Sequence, residues 1–202
     1  ISSTFLFIGL IPDIAVLRDR ENISPIRKRV FSVMSLGWRN TDNEWRHFAR
    51  AYLFLAAFST PLVLSVHSVV SFDFAMALTP GWHTTIFPPY FVAGAIFSGF
   101  AMVLTWMLPA RHFLGLKHVV TPKHLENMAK VMLVTGMMVT YGYVMEHFIA
   151  WYSGNPYEAG QFFLVRWRGP MAPVFWLMVT CNCLVPQLYW SKRVRNSVPM
   201  LW

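Results

Sequence analysis

The 202-residue chain predicts an all-α fold, a polytopic bundle of transmembrane helices. Three observations predict it. Hydrophobic residues make up 55% of the chain and charged residues only 13%, with a mean hydropathy of +0.43; soluble domains carry roughly a quarter charged residues. The apolar residues gather in runs suited to crossing hydrocarbon, which takes roughly 20 residues at about 1.5 Å rise per residue. The period-two alternation of barrel strands is absent, so each run has to satisfy its own backbone hydrogen bonds as a helix. The excess of 17 basic over 9 acidic residues does not point to nucleic acid. The basic residues fill the gaps between apolar runs, with no aromatic interleaving.

Five spans follow, at about 1–12, 48–71, 88–109, 127–151 and 171–190, all within a single membrane domain segment, 1–202. The first is short, ends near Pro12 and has Asp13 at its exit. The chain opens at Ile1, four residues before the apolar run FLFIGLI, and stops after Trp202, the pattern of a segment of a longer protein. In the second span Pro61 removes a backbone donor and should kink the helix. Pro88 and Pro89 suit the start of the third. That span also carries Gly94 with Ser98 and Ala95 with Gly99, small residues on shared faces that let helices approach. Cys181 and Cys183 lie in the fifth span and read as buried thiols, since two cysteines alone hold neither zinc nor an iron–sulfur cluster.

Charge sets the expected orientation. The gap from Arg18 to Arg50 holds eight Lys/Arg, that from Arg111 to Lys130 holds four, and the tail from Lys192 to Arg195 holds three. The two intervening loops hold none and two, the latter being Arg166 and Arg168. The positive-inside rule then places loops 13–47 and 110–126 and the C-terminal tail in the cytoplasm, with loops 72–87 and 152–170 outside. This describes a multi-pass membrane protein whose poorly basic loops face the periplasm or cell exterior.

The polar groups within the apolar background gather near that outer edge. His67 lies about one turn inside the end of the second span, with Ser71 four residues on and able to reach the imidazole. Asp73 is six residues from His67, well round the axis of an unbroken helix. The two serve one site only if the helix ends or bends between them. Trp82 and His83 follow in the loop. Tyr143, Glu146 and His147 sit at matching depth on the fourth span, and Asp13 lies at the opposite side. Each has a plainer reading: a headgroup-level imidazole for His67, a loop cap for Asp73, a solvated His83, and a Glu146 paired with Arg166 or His147. An unpaired carboxylate at that depth would be costly.

Such a layer suits quinol oxidation, which releases two protons and two electrons. A histidine with a nearby carboxylate supplies proton acceptors near neutral pH. No set of side chains forms a convincing metal or haem site, so the electrons would leave to a cofactor on a partner.

The stretches IGLIPDIAVLRDR (8–20), LGWRNTDNEWRHFARAYLFLAAFSTPLVLSVHSVVSFDFAMALTPGWHTTIFPPYFVAGAIFSGFAMVL (36–104) and YGYVMEHFIAWYSGNPYE (141–158) carry a resemblance. The chain resembles the NrfD/PsrC-like family of membrane subunits, in particular its ActC/ActF-type branch in alternative complex III, a quinol:electron-acceptor oxidoreductase. The resemblance implies a subunit of eight to ten helices built from two four-helix bundles, of which this chain is about half. It implies a menaquinol site at the outer face, with His67 and Asp73 in the catalytic and quinol-binding roles. It also implies a bacterial inner membrane and partners: membrane lipid, a periplasmic iron–sulfur subunit, cytochrome c subunits and a homologous membrane subunit. Iron–sulfur clusters and haem c would sit in those partners, with no metal bound by this chain. From depth alone, Trp82, His83 and Tyr143 are expected as walls of the site, and Glu146 and Asp13 as proton relays. A second reading is a non-catalytic homologue that anchors the complex or conducts protons. A solute transporter would place its polar groups at the midplane, which this sequence does not.

Overall fold

The computed structural model describes residues 2–21, 23–79 and 81–201. It is 82% helix, with no strand among the described residues. Four helices are long and apolar enough to cross a membrane: Asp42–Ala75, Phe87–Phe113, Pro122–Tyr152 and Ala172–Trp190. Ahead of them lie α1 (Ser2–Arg18) and α2 (Pro25–Met34), and the first three long helices are α3, α4 and α5. The chain forms two compact units, Ile1–Ser65 and Val66–Trp202.

In the first unit, α1 does not stop near Pro12. Pro12 lies inside the helix and is buried along with Ile11, Ile14 and Ala15, so the apolar contacts of that face outweigh the one backbone bond a proline removes. Arg18 ends the helix and ties down the following chain. Its Nη1 donates to the fully buried Ser35 Oγ at 3.1 Å and its Nη2 to the Trp38 carbonyl at 2.9 Å. The guanidinium also donates to both Asp19 oxygens, which holds that carboxyl below the usual range. The start of α3 is written locally as Thr-Asp-Asn-Glu. Glu44 Oε2 accepts from the backbone N–H groups of Arg39 and Thr41 at 3.0 and 3.1 Å, and Thr41 Oγ1 accepts from the Glu44 N–H, a capping box. Trp38, Trp45, Phe48 and Tyr52 then form a run of ring contacts, which Phe5 of α1 joins by stacking on Tyr52 at 4.7 Å.

The second unit is built on the seam between α4 and α5. Along α4 the buried residues Ala93, Phe97, Leu104 and Leu108 share a face; on α5 Leu125, Ala129, Met132, Gly136, Val139, Glu146 and Ala150 do the same. Intervals of three and four keep these residues on one stripe. The close approaches occur on α5 instead of on the small-residue faces expected of α4. A Cβ on Gly99 would meet nothing within 4 Å, whereas one on Gly142 would lie 2.7 Å from Tyr90 Cγ, and one on Gly136 2.7 Å from Pro186 Cβ. The last span needs that room because its helix changes form, running as α over Ala172–Val179, as a π turn over Thr180–Leu184 and as a 3-10 turn over Val185–Trp190. At its end Arg195 donates from Nη1 to the Tyr189 and Trp190 carbonyls, and Nε stands 3.9 Å from Glu126 of α5. A cation there satisfies carbonyls that the helix end leaves without partners.

Gly142→Ala forces the Tyr90 ring aside, and overpacking of this kind costs about 1–3 kcal/mol. Thermal unfolding of the detergent-purified variant should show a lowered midpoint, while Gly99→Ala should leave it unchanged.

Candidate functional site

One end of the second unit collects most of the residues singled out in the sequence. Helix α3 brings His67, half-buried, to this end on the same side as the buried Ser71 and Ala75. It continues without a break to Ala75, so His67 and Asp73 stand about 120° apart around one helix. The bend that would have let both face one cavity does not occur, and Asp73 is exposed. Ser71 Oγ donates to the Ser68 carbonyl at 2.6 Å; its one proton is committed to its own helix, and it can serve an imidazole only as acceptor.

From His67 a wall of rings crosses the end of the unit. Its centroid lies 6.4 Å from Phe91, Phe91 lies 5.7 Å from Phe87, Phe87 5.4 Å from Tyr90, and Tyr90 5.8 Å from Tyr143. Trp82, expected as a wall, joins it edge-on to Phe74 at 5.1 Å and parallel to Phe87 at 6.4 Å, and keeps 42% of its surface open. His83 is exposed. Offset and edge-to-face ring pairs of this kind add about 0.5–1.5 kcal/mol each beyond the area they bury, so the wall is a rigid surface.

Glu146 is where the electrostatics concentrate. It lies on the buried stripe of α5 and is only 3% exposed. Its partner is Arg166, with Nη1 3.9 Å from Glu146 Oε2. The guanidinium carbon of Arg166 sits 4.2 Å above the ring of the fully buried Phe162, a cation–π placement. Gly81, with φ +90°, brings the preceding loop so close that a Cβ there would fall 2.9 Å from Arg166 Nη2. A left-handed residue without a side chain is what that approach demands. Phe162 and Arg166 reach their positions on the π turn Gly160–Arg166, which follows the short helix Pro156–Ala159 capped by Asn155.

Beside this pair, His147 Nδ1 lies 2.7 Å from the Tyr143 carbonyl. A carbonyl only accepts, so Nδ1 carries the proton and the neutral ring keeps Nε2 as acceptor. Phe162, Phe163, Trp167 and Phe175 surround the imidazole. Tyr90, Tyr143 and Arg166 border a cavity of about 340 Å³ whose other walls are Met171, Val174, Phe175 and Met178. Two phenols and a guanidinium against apolar walls suit a planar ring with oxygen substituents, because such ligands need few polar anchors and much apolar contact. Asp13, in contrast, is exposed on α1 in the first unit. No group of three or more His, Cys, Asp or Glu residues among those described is placed to hold a metal ion.

The sequence profile of the family described as polysulphide reductase, NrfD, matches residues 18–202. The chain belongs to the NrfD family. It is accordingly a multi-pass membrane protein. NrfD-family subunits interact with quinones in redox complexes and work with iron–sulfur subunits. No curated protein matches the chain significantly.

Sequence reasoning named His67, Trp82, Tyr143, Glu146 and Arg166 but missed Tyr90, Phe162 and Gly81. The signals were present in part. Tyr90 directly follows the Pro88–Pro89 helix start, which puts it at the level of the polar layer. Gly81 stands in a Pro-Gly pair, a turn signal, but nothing in the loop shows that Arg166 fills the space above it.

Arg166→Met leaves the Glu146 carboxylate buried without its cation, at a cost on the order of 3 kcal/mol. Adding Glu146→Gln should recover most of that loss. A double-mutant cycle on unfolding midpoints in detergent measures both, and a pair without coupling would give additive losses.

Proposed function

We propose that this chain is the quinol-handling membrane subunit of an alternative complex III-type respiratory or photosynthetic complex in a bacterial inner membrane. It binds menaquinol near the periplasmic face and passes its electrons to a partner iron–sulfur protein, with cytochrome c subunits and a homologous membrane subunit in the same assembly. The observation that carries this reading is the ring wall joining His67 to Tyr143, with the buried Glu146 carboxylate and its half-buried Arg166 partner at its far end. It offers an apolar aromatic wall for a quinol ring to pack against and titratable groups at its rim.

Oxidation of menaquinol to menaquinone releases two electrons and two protons. His67 takes the first proton, because it stands half-buried at the start of the ring wall and an imidazole nitrogen can accept a hydroxyl proton. Asp73, one to two turns nearer the helix end, exposed and about 120° round the axis from His67, takes the second proton by way of water and not from the face that His67 occupies. It therefore works from the neighbouring face of α3. Trp82 and Tyr143 wall the ring, His83 lines the approach, and Glu146 hands protons on with Arg166 holding its charge. The electrons leave to the partner's cluster. The even–odd loop distribution of Lys and Arg supports the periplasmic assignment of loops 72–87 and 152–170.

A second reading is the non-catalytic homologue that anchors the complex or conducts protons, using Glu146 and Asp13. It is favoured by a cavity of about 480 Å³ bordered by Tyr90, Ser98, Thr105, Tyr143, Asn182 and Tyr189 among others. Those side chains form a polar series through the span region.

In the assembled complex, His67→Ala should lower quinol oxidation by roughly 10²–10⁴-fold, the usual contribution of a general base, and weaken binding of a quinone analogue. Asp73→Asn should lower turnover while leaving analogue binding near normal. Activity and binding both unchanged in His67→Ala would leave the non-catalytic reading standing. Orientation has its own check: in a background without Cys181 and Cys183, Thr85→Cys should react with an impermeant thiol reagent in intact cells and Lys117→Cys should not.

A further inference from the structure

Helix α2 takes no part in the site, and its surface is unlike that of a solvated loop. None of its ten residues is buried. Ile26 is 75% exposed, Val30 49% and Val33 72%, and the three fall within about 60° of one another around the axis. Arg27 and Arg29 flank that arc, each within about 60° of its nearest member, and Lys28 lies on the opposite side. Arg20 and Arg27 also border a cavity of about 630 Å³ over an apolar floor of Leu17, Ile23 and Phe31, with Glu21 the single carboxylate at its edge. The helix is held in place by the Arg18 bonds to Ser35 and Trp38. Trp38 makes edge-on contact with Trp45 at the head of α3, and tryptophans at the end of a membrane-spanning helix mark the headgroup level.

We propose that α2 lies in the membrane interface as an amphipathic helix, with Ile26, Val30 and Val33 in the upper acyl region and Arg20, Arg27 and Arg29 on the phosphates of anionic phospholipid. Helices that lie on a bilayer combine an apolar arc with basic flanks in this way, and arginine stems cover apolar surface while their heads reach the phosphates. Charge complementarity selects the occupant. The loop from Arg18 to Arg50 carries eight basic residues, and juxtamembrane basic clusters are attracted to anionic lipid. An apolar face meant for another protein segment would have no need of guanidinium groups along both edges.

The test uses the intact complex with Cys181 and Cys183 replaced by Ala and one spin label at a time on Ile26→Cys, Val33→Cys or Ser32→Cys. The complex is placed in nanodiscs of phosphatidylcholine with or without phosphatidylglycerol. The ratio of oxygen to nickel-chelate accessibility should be at least roughly threefold higher at 26 and 33 than at 32, as for a helix half-sunk in the interface. It should fall toward the Ser32 value when phosphatidylglycerol is omitted or when Arg20, Arg27 and Arg29 are all changed to Gln. Labels at 26 and 33 shielded from both reagents would mean that a protein segment covers the face, and would overturn the proposal. So would labels as open to the nickel chelate as that at 32. A ratio indifferent to both lipid charge and the Gln changes would overturn the assignment to anionic lipid.

Discussion

A carboxylate buried inside a membrane helix bundle has to be compensated, and the second unit is arranged around meeting that demand for Glu146. Its position on the buried stripe of α5 removes it from solvent and lipid alike. The desolvation cost of such a group is several kcal/mol in real proteins. Arg166 supplies the opposite charge, and two pieces of chain hold Arg166. The π turn carries it, Phe162 lies beneath its guanidinium, and Gly81 leaves the space its outer nitrogen fills. A π turn places side chains where a regular helix would not, and such turns are often found at functional sites. The 3.9 Å separation is long for an ion pair, so the charge is balanced without being locked in a short hydrogen bond.

The aromatic wall rests on a different kind of contact, ring against ring in tilted and edge-to-face pairs. Tyr90 is central to the wall because it touches both Phe87 and Tyr143. It can do so only because Gly142 has no side chain at the point where α5 passes the Tyr90 ring. One missing Cβ on α5 therefore lets the Tyr90 ring lie against that helix. The same device at Gly136 admits Pro186, where the last span departs from α-helical form.

The interior of α3 tells a related story by its exposure. The long apolar core of this helix has no buried stretch, although its last turns carry His67, Ser71 and Phe74 against the ring wall. A helix that apolar and that open is suited to lipid or to other helices of a membrane assembly. The NrfD family, whose subunits work in multi-component membrane complexes, accounts for such a surface.

Much of this was legible in residue order because it depends on local or periodic rules. Hydropathy and run length located the long helices, since backbone hydrogen bonding in hydrocarbon leaves no other solution. The Pro88–Pro89 start is written in two adjacent residues. Counting turns from the span ends put His67, Tyr143 and Glu146 at one level as an expectation, while the burial of Glu146 on α5 came from the folded structure. Other features depended on contacts between distant segments, which periodicity cannot rank. Sequence left open whether α3 breaks between His67 and Asp73; the continuous helix to Ala75 decided that they face different ways. It could not tell which small residues face a partner, and the packing chose Gly142 and Gly136 over Gly99. It paired Glu146 with either His147 or Arg166, and tertiary structure brought in Arg166 from a π turn that no sequence pattern announces. Solvent exclusion acts on each segment by itself, and so residue order determined it; charge compensation acts between segments, and only the folded arrangement could decide it.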